Sequence, residues 1–67
     1  MRRYFIHKYQ TFKWTLVFDV RGQWHVEKAG PHGICARFTL EEFEKSDHGR
    51  QLADRLSRAL QEAEQDA

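Results

Sequence analysis

The nine residues from Phe12 to Val20 constrain the architecture more tightly than any other stretch of this chain. Phe12, Trp14, Leu16, Phe18 and Val20 alternate with Lys13, Thr15, Val17 and Asp19, the period-two pattern of a strand with one buried face. The segment that follows types its own turn. Asp19 at the first position and Gly22 at the fourth suit a type I turn, with Gly22 at positive φ as a bulge. A loop of Val20-Arg21-Gly22 pairs Asp19 with Gln23, and Phe18 then faces Trp24, Leu16 faces Val26 and Trp14 faces Lys28. A two-residue loop would set Trp24 beside Asp19 instead. Turn chemistry and apolar pattern therefore select one register.

The flanking strands follow from this hairpin. Residues 3–9, paired around Gln10, place Tyr4 opposite Leu16 and Ile6 opposite Trp14. Ala29-Gly30-Pro31-His32-Gly33 is a cluster of turn formers. Beyond it Ile34, Ala36 and Phe38 alternate with Cys35 and Arg37, which predicts a fourth strand opposite Trp24 and Val26.

A different period takes over at Thr39. Thr39 and Glu42 have capping-box spacing, so a helical turn is expected from Leu40 with Phe43 facing inward. Leu52, Leu56, Ala59, Leu60 and Ala63 form a helical stripe. In one unbroken helix Phe43 and Leu52 would sit about 900° apart and on opposite sides. Ser46-Asp47-His48-Gly49 supplies a capping residue and a glycine where that phase fails. The pattern predicts a short helix at 40–45, a break, and a main helix at about 48–64 with a frayed end from Glu64. Arg50, Asp54 and Arg58 are spaced to pair along its exposed strip. The fold class is α+β: a single small domain over residues 1–67, with a three- to four-stranded antiparallel β-meander at about 3–39 and a C-terminal helix on one face.

Size limits what such a domain can hold. A chain of 67 residues buries only about 60% of the surface its unfolded form exposes. Cys35 is the only cysteine, so no internal disulfide compensates, and an unpaired thiol fits a reducing, cytoplasmic compartment. Met1-Arg2-Arg3 is basic but no apolar run follows, so no secretory leader is expected. Nothing approaches the roughly 20 apolar residues of a membrane span.

Charge is divided along the chain. Residues 1–38 carry seven Lys or Arg against two acids, a net of +5, and eight of the nine aromatics; residues 39–67 carry four bases against eight acids, a net of −4. The predicted register turns Tyr4, Ile6, Phe12, Trp14, Leu16, Phe18, Trp24, Val26, Ile34, Ala36 and Phe38 toward the helix. It turns Arg3, Phe5, His7, Tyr9, Lys13, Thr15, Val17, His25, Glu27, Cys35 and Arg37 the other way. Cations beside exposed rings are what a nucleic-acid strand requires, phosphates meeting the cations and unstacked bases the rings. On this reading Arg3, Lys13 and Arg37 meet phosphates, and Phe5 and Tyr9 stack on bases of a single strand. The same Tyr, Phe and Arg content suits a protein-interaction or homodimer surface, the alternative reading. The quantity of ring on the helix-facing side also admits a partner chain over Phe12, Trp14 and Tyr4.

No enzyme chemistry is expected. His25, His32, Cys35 and His48 are candidate zinc ligands, but only His32-x-x-Cys35 has a ligand-pair spacing, so no metal or other cofactor is assigned. Cys35 has no evident orienting group or oxyanion donor for nucleophilic catalysis. No small-molecule substrate is evident. Gly33-Ile34 leading to Thr39-Leu40-Glu41-Glu42-Phe43, within a curved antiparallel sheet that ends in a helix, resembles the helix entry of single-strand-binding coactivator domains. A three-stranded sheet followed by a helix is also similar to the arm-binding domains of integrases. These likenesses are of layout and assign no residue a role.

Overall fold

The computed structural model describes residues 1–66. Four strands, β1 (Arg2–Tyr9), β2 (Phe12–Phe18), β3 (Trp24–Gly30) and β4 (Gly33–Thr39), precede helices α1 (Leu40–Lys45), α2 (Asp47–Gln51) and α3 (Ala53–Gln65). The strands form one antiparallel meander in the order β1-β2-β3-β4, with the helices on one face. This is the α+β class expected.

The central hairpin has the register that its turn dictates. Phe18 pairs with Trp24, Leu16 with Val26 and Trp14 with Lys28. Gly22 donates its N–H to the Asp19 carbonyl at 3.0 Å, closing the turn, and takes φ 78°. The Asp19 carboxylate accepts from the backbone N–H of Arg21 at 2.9 Å and of Gln23 at 3.0 Å. These backbone donors, Gln23 foremost, hold the Asp19 carboxyl below its ordinary pKa.

β4 lies beside β3 with Phe38 opposite Val26, as expected, but both outer hairpins break simple alternation, and in the same way. Tyr9 pairs with Phe12 across a two-residue loop, with Gln10 in the left-handed region at φ 55°. That loop is one residue out of phase with the Tyr4–Leu16 pair, and a β-bulge between Phe5 and His7 restores it. His7, rather than Ile6, therefore stands opposite Trp14. On the other side Gly30 pairs with Gly33, and a second irregularity next to Lys28 and Ala29 brings Lys28 opposite Ala36 and Val26 opposite Phe38. Near the loops, the side chains thus switch faces relative to simple alternation.

The break between the helices has an atomic cause. Thr39 and Glu42 form the full capping box, with Glu42 N–H to Thr39 Oγ1 at 3.0 Å and Thr39 N–H to Glu42 Oε1 at 2.8 Å. Ser46 ends α1 and begins α2: its N–H and hydroxyl both donate to the Phe43 carbonyl, and its Oγ accepts from Gly49 N–H at 3.0 Å. Leu52 interrupts the helix a second time, at φ −103° and ψ 13°, while its N–H still reaches the His48 carbonyl at 2.9 Å. Helix α3 then runs through Gln65, past the expected fraying point; Ala67 lies outside the described residues. Arg50 pairs with Asp47 at 3.7 Å rather than with Asp54.

The turn at Ser46 lets both halves of the helical layer face the sheet. Phe43 and Leu52 are both buried, with Leu56, Ala59 and Ala63 continuing the stripe. Trp14 is the hub, its ring centroid 5.5 Å from Phe43, 6.0 Å from Phe38 and 5.1 Å from His48. Tyr4 and Trp14 are each 4% exposed within the single chain, whereas Phe12 is only half-buried.

Gly49 is the tightest point of this corner, because an added Cβ would lie 1.6 Å from the Phe43 carbonyl oxygen. Gly49→Ala is therefore expected to destabilise the domain by about 1–3 kcal/mol or more. In a domain of this size each kcal/mol lowers Tm by roughly 4–8 °C. A circular-dichroism melt of the variant that matches the parent would contradict the close approach.

Candidate functional site

The sheet face opposite the helices is organised around one acid. Glu27 pairs in register with Thr15 and Arg37 and is 4% exposed, although no helix covers it. Side chains from three strands bury it. Arg3 on β1 donates to Glu27 Oε1. His25 Nε2 lies 3.0 Å and Arg37 Nε 3.5 Å from Oε2. Burial would push the Glu27 carboxyl up, but the hydrogen bonds from His25 and Arg3 and the Arg3 charge outweigh it and hold the group below its ordinary pKa. His25 Nδ1 also stands 3.8 Å from Asp19 Oδ2, so the cluster extends to the central turn. Val17, flanked in register by Arg3 and His25, is fully buried on this face.

Next to this cluster lies a shallow depression of about 350 Å³, lined by Arg3, Phe5, Lys13, Thr15, Glu27, Ala29 and Ile34. Phe5 is 55% and Ile34 46% exposed. Arg3, Phe5, Lys13 and Arg37, four of the five residues singled out from sequence, thus share one face. Tyr9 does not. The bulge in β1 turns it to the helix side, where it lines a separate cleft with His7, Phe12 and Trp14, so it is no stacking residue for the open face. His7 moves with it.

The same irregularities bring in two residues that simple alternation puts elsewhere. Lys8, opposite Lys13, joins the open face. Ile34, opposite Ala29, lies there too and not beneath the helices. The two Arg side chains remain 50% and 67% exposed while paired with Glu27. Two carboxylates, Glu27 and Asp19, thus sit on a face with four permanent cations, and the face keeps a positive excess. Lys8 and Lys13 form no ion pair among the described residues.

The candidate metal ligands are dispersed. His25 is bound to Glu27, His48 lies against Trp14, and His32 and Cys35 are exposed at the β3–β4 loop and on β4. Among the described residues no three His, Cys, Asp or Glu side chains group as a metal site requires. None of their helices is long and apolar enough to cross a membrane. Set against protein-family models, curated proteins and solved structures, the chain matches none, so the likeness of layout to single-strand-binding coactivators and integrase arm-binding domains carries no argument.

The depressed pKa of Glu27 fixes the sign of a pH effect. A carboxyl whose pKa is lower in the folded state adds stability above its unfolded pKa and loses it as pH falls through the folded value. The parent should therefore lose stability on acidification below the ordinary carboxylate range. Glu27→Gln should be less stable at neutral pH by about 1–3 kcal/mol and should lose less on acidification. Denaturant titrations of both proteins at neutral and acid pH measure this; equal stability at neutral pH would remove Glu27 as the organiser of the face.

Proposed function

We propose that this chain is a small, non-enzymatic, cytoplasmic binding domain whose open sheet face takes single-stranded nucleic acid. The observation that carries the reading is the grouping of Arg3, Lys8, Lys13 and Arg37 around exposed Phe5 and Ile34 on the face that no helix covers. Cations at the rim attract phosphates, and releasing the strand's counterions drives binding. Phe5 offers a ring for one base, and Ile34 extends the apolar floor beside it. Acidic side chains concentrate in the helical segment, which favours a polyanion on the open face and disfavours one on the other.

A labelled single-stranded oligonucleotide titrated at low salt should bind, with affinity falling steeply as salt is raised. Lys13→Gln should weaken binding and flatten the salt dependence. Phe5→Ala should cost about 1–3 kcal/mol, the worth of one stacked base. No binding at low salt with micromolar protein would overturn the reading.

Exposed Phe5 beside exposed Ile34 also favours a second reading, a homodimer formed face to face through this apolar floor. Light scattering should then report a dimer that Phe5→Glu splits, and a monomer at high concentration would exclude it.

A further inference from the structure

A second concavity opens on the helix side, at the end of the sheet where the β1–β2 and β3–β4 loops lie. It encloses about 310 Å³ and is lined by His7, Tyr9, Phe12, Trp14, Lys28, His48, Gln51 and Leu52. The outer hairpins create it. The bulge in β1 sends His7 and Tyr9 to this side, and Gly30, without a side chain, leaves room for the Phe12 ring, which an added Cβ would approach to 3.2 Å. Trp14 forms the floor and His48 of α2 leans on it, 5.1 Å between centroids.

Lys28 is the informative residue. Its Nζ lies 4.5 Å from the Phe12 centroid and 5.4 Å from the Trp14 centroid. Among the described residues it has no salt bridge and its ammonium donates no side-chain hydrogen bond. No carboxylate lines the cleft, while two imidazoles and the Gln51 amide do. An ammonium held over two rings, in a cleft lined by no carboxylate, is placed to meet an anion that enters it. The flanking rings of Tyr9, Phe12 and Trp14 offer flat apolar walls. The volume lies at the lower end of the roughly 300–1,000 Å³ typical of small-molecule sites, which suits a ligand of one or two fused rings.

We propose that this cleft binds a small planar aromatic anion, its ring against Phe12 and Tyr9 and its carboxylate or phosphate on Lys28, with His7, His48 and Gln51 as further polar contacts. The site is separate from the open face and does not depend on the nucleic-acid reading. An aromatic carboxylate and a mononucleotide share the required chemistry, and the two arms of the test separate them.

Trp14 reports directly on the cleft, and Trp24→Phe removes the other indole emission. In this background, 2-naphthoate and adenosine 5′-monophosphate are each titrated by fluorescence alongside the neutral 2-naphthamide and adenosine. Saturable binding of either anion, weaker by about tenfold or more for its neutral counterpart and for Lys28→Gln, is expected; which anion binds identifies the source. Lys13→Gln, on the opposite face, should leave this binding unchanged. Absence of saturation with both anions at millimolar concentration, or equal binding of anion and neutral analogue, would overturn the proposal. Should Lys28→Gln fail to fold, the comparison of charged and neutral probes on the intact cleft still decides it.

Discussion

The phase of side-chain alternation in β2 is the constraint on which the remaining structure rests. Trp14 and Leu16 must lie under the helices, because one faces Phe43 and the other is completely buried. With β2 so placed, the Asp19–Gly22 turn sets β3, and the outer strands must come into step with these two. Two-residue loops at Gln10-Thr11 and Pro31-His32 deliver the outer strands one residue out of step. A strand that remained so would turn its apolar residues to solvent along its whole length. One extra residue in each outer strand costs a local kink and avoids that reversal.

The same phase explains how an acid comes to be buried in a basic face. Glu27 follows Val26 and points away from the helices, where a carboxylate would ordinarily be solvated. Arg3 and Arg37 stand on strands either side of the β2–β3 pair, and their side chains converge on Glu27 from opposite directions. Ion pairs at an exposed surface contribute little, but here the arginine stems and His25 exclude water from the carboxylate and from Val17. The cluster thereby gives one sheet face a substitute for the hydrophobic cover that the helices provide to the other.

Much of this was legible in the sequence, for identifiable reasons. The central hairpin was readable because turn chemistry and apolar pattern are independent signals that agreed. The corner at Ser46 was readable because helical phase, a capping residue and a glycine coincide there. The irregularity at Leu52 had no such signal, because leucine is a good helix former. Tyr9, His7 and Ile34 were misplaced because period-two counting assumes an unbroken ladder. A reader who had granted two-residue loops to both outer hairpins, while keeping Tyr4 against Leu16, would have been forced to insert the extra residues. The sharing of Arg3 and Arg37 with Glu27 was missed for a different reason: charge was counted per face, whereas register decides which charges touch.

The bulges also bear on how the sheet meets other molecules. β1 and β4 are its two free borders, and an unpaired border is an open template for a further strand. Each carries a kink, and each bears a charged side chain (Lys8 beside one, Arg37 beyond the other) that an incoming backbone would have to accommodate. Lateral extension into a longer ribbon is thereby discouraged. Encounters are steered to the broad sides of the molecule.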